Sequence, residues 1–168
     1  MILCHVSNIG ARSVFKLIDM DKKYKLVKPN SVIIDCGASP VDLLPIEMIP
    51  NVKIIQGDFT TFETQNKIIK MLGDRKVDVV LSDMSPNSSG QHFIDHVRSM
   101  ELCESTLIFA EQVLKSDGTL LCKFLMGGDE KEFREKLKSK FKKVIHERPL
   151  ASRKESTELY YVCLKYIH

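Results

Sequence analysis

Short runs of β-branched and aliphatic residues alternate with amphipathic stretches along this chain of 168 residues. Short apolar runs are typical of buried strands, whereas apolar positions that recur every three or four residues are typical of helices packed on a sheet. The alternation favours a mostly parallel sheet, because a parallel strand is usually reached through a helical crossover. The sequence therefore predicts an α/β fold.

The same patterns give bounds for the individual elements. The predicted strands cover residues 31–36, 53–56, 77–82, 119–124, 142–146 and 159–164. The predicted helices cover residues 13–24, 61–72, 95–114 and 130–141. Gly73 and the segment 116–118 follow the second and third helices where C-cap residues are expected. Only residues 147–158 separate the last two strands, which is too short for a helical crossover, so the final strand should be reversed.

Length and composition limit the class of protein. A chain of 168 residues with 43% hydrophobic content is expected to form one domain around one core. Its apolar stretches are interrupted well short of the roughly 20 residues that a membrane span needs. The five cysteines form no CxxC pair and lie mostly in apolar segments, which indicates reduced and packed thiols. We expect a soluble monomer that binds neither a metal nor a membrane.

Positive charge is concentrated in two segments, although the formal net charge is only +3. Residues 131–154 contain ten Lys or Arg and three Glu, and residues 12–28 contain six Lys or Arg and two Asp. Such segments form either solvated helix faces or a surface that binds a polyanion. Both interpretations stay open on charge alone.

Small and acidic residues follow the predicted strands at their carboxyl ends, where open parallel sheets bind ligands. Gly37 and Ala38 follow the first strand, and small residues there allow the backbone to approach a nucleotide-like cofactor closely. Asp42 and Asp58 are suited to accept hydrogen bonds from a ribose or an adenine. Aspartates in such loops also serve simply to form turns, and this alternative stays open.

Lys123 interrupts the apolar run of residues 120–126 in a strand that should be buried. Burying an ammonium group is costly unless it is paired or neutralised, so a functional role is favoured over a lysine that reaches water at the strand end. Asp83 ends the run of residues 79–82 (VVLS) and lies three residues before Pro86, where a turn role is a fair alternative.

Six segments together resemble the FtsJ-type rRNA ribose 2′-O-methyltransferases, and within them the branch that methylates a uridine of mitochondrial large-subunit rRNA. The segments are residues 12–17 (RSVFKL), 35–40 (DCGASP), 41–45 (VDLLP), 56–59 (QGDF), 81–87 (LSDMSPN) and 151–160 (ASRKESTELY). The resemblance implies a Rossmann-like, S-adenosylmethionine-dependent methyltransferase fold with a mostly parallel sheet and a reversed final strand. It also implies an rRNA or pre-ribosomal substrate and a mitochondrial location.

The resemblance also assigns the site residues. A catalytic Lys-Asp-Lys-Glu tetrad falls on Lys16, Asp83, Lys123 and Glu158. We assign the general base to Lys123, which would take the proton of the ribose 2′-hydroxyl. The cofactor contacts fall on Gly37, Pro40, Asp42, Asp58 and Asp83, with Asp42 expected at the ribose and Asp58 at the adenine. The candidates for contacts to RNA phosphates are Lys22, Lys23, Lys25, Lys138, Lys142 and Arg153.

One part of the family pattern is missing from this chain. The family continues its first loop with glycines, a helix and a second strand, whereas Pro40 is followed directly by Val41 and Asp42. Roughly twenty residues are absent, about what one helix and one strand of a crossover unit require. We therefore expect a sheet without the first crossover helix and second strand, and weak cofactor binding. The neighbouring strands must then pair anew or leave backbone groups unsatisfied.

Two other functions fit the sequence less well than a methyltransferase does. A shortened, catalytically weak or inactive module that still binds RNA would fit the missing segment, but it offers no physical reason to keep Lys123 in an apolar strand. A Rossmann-type oxidoreductase fits poorly, because residues 37–42 do not supply the G-x-G-x-x-G pattern of dinucleotide-binding loops.

Overall fold

The computed structural model describes residues 2–4, 12–37, 53–55, 57–128, 130–150, 152 and 156–168, with only the backbone for residues 2–4, 12–15, 53 and 54. The strands are β1 (Ile2–Cys4), β2 (Ile33–Asp35), β3 (Lys53–Ile55), β4 (Val77–Ser82), β5 (Leu114–Leu125), β6 (Phe141–Glu147) and β7 (Glu158–Tyr166). The helices are α1 (Arg12–Tyr24), α2 (Phe62–Leu72), α3 (His92–Val113) and α4 (Lys131–Lys140).

These strands form one sheet in the order β3-β1-β2-β4-β5-β7-β6. The pairs among β1 to β5 are parallel, and β7 runs antiparallel between β5 and β6. The predicted α/β class, with a mostly parallel sheet and a reversed final strand, is confirmed. Most predicted elements agree with the observed ones within three residues, but β5 begins five residues earlier than predicted, at Leu114.

The strand β1 occupies the inner position of the sheet between β2 and β3. Ile2 pairs with Ile34 on one side and with Lys53 on the other, both in parallel register. The sequence patterns predicted no strand in these first residues. The facing backbone groups of β2 and β3 therefore bond to β1 rather than to each other, and the described sheet has no gap where the family pattern lacks its second strand.

Apolar residues form a core on each face of the sheet. One core contains residues of α2, α3 and α4 and the alternate strand residues Leu120, Phe124 and Tyr161. The other lies beneath α1 and includes Leu121 and Tyr160. Successive strand residues point to opposite faces. The face covered by α1 is therefore the face to which Lys123 belongs, two residues after Leu121.

The helix ends follow the sequence predictions in one case and depart from them in another. Gly73 ends α2 with a φ of 59°, and its amide donates to the carbonyl of Ile69, as a C-cap residue should. The predicted cap at residues 116–118 is wrong, because α3 ends at Val113 and the next residue already pairs with β4. Residues 115–118 instead form an irregularity at which the β4–β5 register shifts.

The four cysteines whose side chains are described are buried, as their apolar neighbours predicted; they are Cys36, Cys103, Cys122 and Cys163. Within the described part of the chain, no helix is long and apolar enough to cross a membrane. The same residues contain no group of three or more side chains that could hold a metal ion.

Candidate active site

Four charged side chains meet at the carboxyl edge of the sheet, beneath α1. Asp83 directly follows β4, Lys123 lies near the end of β5, Glu158 begins β7, and Lys16 lies on the second turn of α1. Their side chains are largely withdrawn from water, with exposed fractions of 7% for Lys123, 10% for Lys16, 11% for Asp83 and 25% for Glu158. The structure thus brings together all four residues of the predicted tetrad.

The two carboxylates hold the two ammonium groups in one ionic cluster. Lys123 Nζ lies 3.2 Å from Asp83 Oδ1 and 3.5 Å from Glu158 Oε1. The other oxygen of Glu158 accepts a hydrogen bond from Lys16 Nζ. With all four groups ionised the cluster carries no net charge, so each buried ion has an opposite charge to offset its loss of hydration.

Helical spacing explains how Lys16 reaches this cluster. Residues four apart lie on the same face of a helix, and Lys16, Met20 and Tyr24 have this spacing in α1. Met20 is fully buried in the core beneath α1. At the other end of the helix, the hydroxyl of Tyr24 donates to Glu147 in β6. Contacts at both ends and in the middle therefore fix α1 over the sheet.

The antiparallel register of β5 and β7 adds Tyr160 to the cluster. Lys123 lies opposite Tyr160, and Leu125 lies opposite Glu158, so these side chains share one face. Tyr160 is fully buried, and its hydroxyl donates to Asp83 Oδ1. Neither the sequence patterns nor the family resemblance predicted Tyr160 as a site residue. The sequence did contain the information needed to find it, because alternate residues of a strand point to the same face and Tyr160 is two residues after Glu158.

Local charges set the protonation of two of these groups. Burial raises the pKa of Glu158, but the hydrogen bond from Lys16 and the charge of Lys123 outweigh burial and hold this pKa below its ordinary value. Burial, together with the negative charge of Asp83, raises the pKa of Tyr160 far above its ordinary value. Tyr160 therefore keeps its proton and remains a hydrogen-bond donor to Asp83.

Side chains of α3 hold the end of β5 where its neighbouring strand stops. The pairing between β4 and β5 ends with Ser82 and Cys122. Beyond that pair, the amide of Leu125 donates to Ser99 Oγ at 3.1 Å, and the carbonyl of Leu125 lies 2.6 Å from His96 Nδ1. A carbonyl can only accept, so Nδ1 of His96 carries the proton.

Two further contacts complete this support of the β5 end. Cys103 Sγ donates to the backbone carbonyl of Lys123 at 3.1 Å. Gly127 passes so close to His96 that a Cβ atom at this glycine would overlap the imidazole ring. The backbone around Lys123 is thus fixed by β7 on one side and by α3 on the other.

A second group of residues lies beside the tetrad, at the carboxyl end of β2. The amide of Gly37 donates to Asp35 Oδ1 at 2.8 Å. A Cβ atom at Gly37 would lie 2.9 Å from that oxygen and 3.8 Å from Asp83 Cβ. Burial, with the added negative charge of Asp83, raises the pKa of Asp35 to about 6, although the hydrogen bond from Gly37 acts in the opposite direction. Asp35 is a second residue that neither the sequence patterns nor the family resemblance predicted for the site.

The other predicted cofactor contacts have different outcomes. Asp58 Oδ1 accepts hydrogen bonds from the amide of Thr60 at 2.9 Å and from its hydroxyl at 2.7 Å. The turn role that the sequence left open is therefore present, and it occupies one oxygen of the carboxylate. Gly57, beside it, lies so close to α2 that a Cβ atom would be 2.6 Å from Thr64 Oγ1. Pro40 and Asp42 lie outside the described residues.

The predicted phosphate contacts do not form one cluster. Lys23 pairs with Glu147 at 2.6 Å, and Lys138 pairs with Glu135 on α4 at the same distance. Lys22 is exposed on the last turn of α1. Two others, Lys25 and Lys142, line a cavity at the opposite edge of the sheet from the tetrad. Arg153 lies outside the described residues.

Comparison with known proteins places this site in a family. The model of the FtsJ-like methyltransferase family matches residues 9–40 and 41–166. The break between the two matches falls between Pro40 and Val41, where the sequence lacks the crossover unit. The ribosomal RNA large subunit methyltransferase E of Gluconobacter oxydans is 40% identical over 90% of this chain, which spans 63% of the length of that protein.

Solved structures agree with this match. A ribosomal RNA methyltransferase from Plasmodium falciparum superposes with a TM-score of 0.80 at 29% identity, over 93% of this chain and 97% of that chain. Human methyltransferase-like protein 13, solved in complex with SAH, superposes with a TM-score of 0.59 at 12% identity, over 98% of this chain and 71% of that chain. This second likeness shows a shared fold.

The comparisons correct one expectation and confirm another. The expected mitochondrial location is wrong, because the relatives at 36–40% identity are bacterial proteins and bacteria have no mitochondria. The expectation of a methyltransferase is confirmed by a family match that covers nearly the whole chain. The chain belongs to the FtsJ-like methyltransferase family.

Proposed function

We propose that this protein is an S-adenosylmethionine-dependent enzyme that methylates the ribose 2′-hydroxyl of a uridine in large-subunit ribosomal RNA. The buried cluster of Lys16, Asp83, Lys123 and Glu158 at the carboxyl edge of the sheet carries this proposal. Relatives named as large-subunit rRNA methyltransferases support the substrate. The family match supports methyl transfer as the reaction.

Lys123 is the general base in this proposal. A 2′-hydroxyl attacks well only as its proton leaves, and a lysine accepts that proton only when its amine is neutral. Both neighbouring carboxylates attract the ammonium form by charge. Each of them is also engaged elsewhere, Asp83 by the hydroxyl of Tyr160 and Glu158 by Lys16. These contacts fix the two carboxylates in place around Lys123.

The remaining tetrad members position the reacting groups. Asp83 and Glu158 contact Lys123 from two directions and so fix the direction of its nitrogen. Methyl transfer requires the ribose oxygen, the methyl group and the leaving sulfur to lie in line, and such alignment lowers the barrier substantially. Lys16 balances the charge of Glu158 and, in this proposal, contacts the 2′-oxygen.

The described residues beside the tetrad fit the cofactor. S-adenosylmethionine carries a positive charge at its sulfur and supplies the reactive methyl group when bound. The carboxylates of Asp35 and Asp83 lie close enough at this edge to interact by charge, and any side chain larger than that of Gly37 would press against the Asp35 carboxylate. We propose that Gly37 and Asp83 hold the methionine end with Pro40, that Asp42 binds the ribose, and that the free oxygen of Asp58 binds the adenine. The shortened loop predicts weak binding.

We also propose that the chain works as one domain and as a monomer. The strands of the described residues all belong to one sheet, and its tetrad is completed by residues of a single chain. A second copy is therefore not needed to assemble the site. Sedimentation at micromolar concentration should give the mass of one chain, and a dimer mass would contradict this.

Transfer of a labelled methyl group to unmodified RNA tests the function. Free large-subunit rRNA and purified large subunits from a methylation-deficient source are offered in parallel with radiolabelled S-adenosylmethionine. Alkali cannot cleave the bond next to a 2′-O-methyl ribose, so label should appear in alkali-resistant dinucleotides. Label in mononucleotides would mean base methylation and would refute the proposal.

Calorimetry completes this experiment, because it separates failure of binding from failure of chemistry. If titration shows that the cofactor and the RNA both bind and no label is transferred, the alternative of an inactive RNA-binding module is correct. Micromolar or tighter cofactor affinity would refute the expected effect of the shortened loop while leaving the proposed reaction standing.

A further inference from the structure

A lysine-lined cavity of about 600 Å³ opens at the amino edge of the sheet, away from the tetrad. We call it the amino-edge groove, and its charged lining residues are Lys25, Lys28, Lys115, Lys142, Lys165, Asp78 and Asp117. Thr119 of β5 also lines it, four residues before Lys123. A strand rises about 3.3 Å per residue, so the groove lies roughly 13 Å from the proposed base along the same strand.

The amino-edge groove has an excess of positive charge. Lys115 pairs with Asp78, and Lys142 lies 3.3 Å from Asp117. Lys28 is near enough to Asp78 to help lower the pKa of that carboxyl, but it forms no ion pair within the described residues. Lys25 and Lys165 likewise have no ion-pair partner in the described part of the chain.

The backbone around the groove is in an unusual conformation. Four described residues other than glycine have a positive φ, and three of them line the groove: Lys25 at 53°, Asp117 at 61° and Lys165 at 62°. Glycine or asparagine adopts this left-handed conformation most readily. Two of these positions hold lysine instead, so backbone strain is accepted where a cationic side chain lines the groove.

We propose that the amino-edge groove binds the sugar-phosphate backbone of the substrate RNA at a distance from the methylated nucleotide. Only the identity of the polyanion as RNA rests on the proposed function. Lysine is a flexible point charge that attracts phosphate without reading bases, so this contact adds affinity and not sequence selectivity.

The helix α1 connects the groove to the tetrad. Its second turn carries Lys16, its last residue Tyr24 lines the groove, and Lys25 follows directly. Because α1 is fixed on the sheet at both ends, the spacing between the two sites is constant. RNA that reaches both sites is held in one register, whereas a short RNA reaches only the tetrad.

A charge-matched pair of double variants tests the proposal. Lys28→Gln/Lys165→Gln removes two charges of the groove, and Lys70→Gln/Lys131→Gln removes two from exposed positions on α2 and α4. Fluorescence anisotropy measures binding to a long rRNA fragment over a range of salt concentrations. The salt slope is the change in the logarithm of the binding constant for each tenfold change in salt concentration. Loss of two phosphate contacts should lower the magnitude of this slope by about 1.4 to 1.8 and weaken binding roughly tenfold. An equal effect of both double variants would overturn the groove as a site.

Further measurements separate this proposal from the proposed function. The groove variant should raise KM for long RNA, leave kcat within about twofold, and leave binding of a short RNA unchanged. If the wild type binds RNA through the groove and transfers no methyl group, the proposed function fails and the groove stands. If inorganic phosphate competes at micromolar concentration, the groove is a small-anion site and the proposal is wrong.

Discussion

The two halves of the sheet hold their functional residues in different ways. We call β4 to β7 the catalytic half after its proposed role; there the strand β5 has 12 residues and β7 has 9, and seven register pairs join them. We call β1, β2 and β3 the cofactor half, again after the proposed role, and these strands have three residues each. Long ladders fix the direction of every side chain along them, whereas short strands fix only a few.

The side-chain contacts differ in the same way. The tetrad joins α1, β5, β7 and the residue after β4 through ion pairs between distant parts of the chain. Asp35 and Asp58 of the cofactor half instead accept hydrogen bonds from residues two positions away. The geometry of the proposed catalytic tetrad thus depends on tertiary packing, whereas the proposed cofactor contacts depend on local loops. Changes in the first half should lower kcat, and changes in the second should alter cofactor affinity and stability.

The largest effect is expected for Lys123→Ala. Without the general base, kcat should fall by about 10³-fold, within the range that acid–base catalysis contributes. Cofactor affinity should change much less than kcat, because Asp83 is the one proposed cofactor contact that pairs with Lys123. Labelled-methyl transfer and calorimetry measure the two quantities. Lys143→Ala on β6 is the control, and a loss of cofactor affinity in Lys123→Ala would contradict the separation of the halves.

The second largest effect is expected from Asp35, whose titration should make the free energy of unfolding depend on pH. Its pKa rises from 3.8 to about 6 on folding, so the unfolded chain loses this proton at lower pH than the folded protein. The free energy of unfolding should therefore fall between pH 4 and 6 and stay reduced at higher pH. The loss should reach about 3 kcal/mol, because a pKa difference of one between the folded and unfolded states corresponds to about 1.36 kcal/mol.

The variant Asp35→Asn keeps an oxygen that accepts from Gly37 and removes this titration. Urea unfolding from pH 4 to 8 should show that the difference in unfolding free energy between variant and wild type grows from pH 4 to 6 and is constant above. A constant difference would show that Asp35 is not the titrating group. The kcat of Asp35→Asn at saturating cofactor should stay close to the wild-type value, since Asp35 lies in the cofactor half.

A smaller effect is expected for Tyr160→Phe. Loss of the hydrogen bond to Asp83 leaves that carboxylate less firmly held beside Lys123, so kcat should fall roughly tenfold, which corresponds to about 1.4 kcal/mol in the barrier. KM for RNA should stay within about twofold, whereas a general loss of packing would alter both quantities. Tyr161→Phe is the matched control, because its hydroxyl has no hydrogen-bond partner within the described residues. An unchanged kcat in Tyr160→Phe, or an equal fall of kcat in Tyr161→Phe, would refute the role of Tyr160.

The smallest effect is expected for Ser99→Ala. The change removes the acceptor for the amide of Leu125, at the end of the strand that carries Lys123. Unfolding free energy should fall by about 1 to 2 kcal/mol, and kcat by a few fold without a change in cofactor affinity. Ser139→Ala, on the exposed face of α4, is the control. A change in cofactor affinity without a change in kcat would contradict the expectation that changes in the catalytic half act on kcat.

The sequence patterns predicted most of the fold and part of the site. Periodicity located β4 at its observed bounds and α1 within one residue, because both have a clear apolar face. Family resemblance selected the tetrad. Neither approach selected His96, Ser99 or Cys103, since their function is to bond the backbone of a strand twenty or more residues away. Only a packed helix makes these contacts possible.

The sequence by itself determined the alternation of strands and helices, the reversed final strand and the residue types of the tetrad. Apolar spacing and loop length are local properties, and they can be recognised before the chain folds. Tertiary structure alone decided that β1 lies between β2 and β3 and that Tyr160 bonds to Asp83. It also gathered five lysines from separate segments into one groove. These features depend on which distant segments become neighbours, and that is settled only when the sheet buries its two faces.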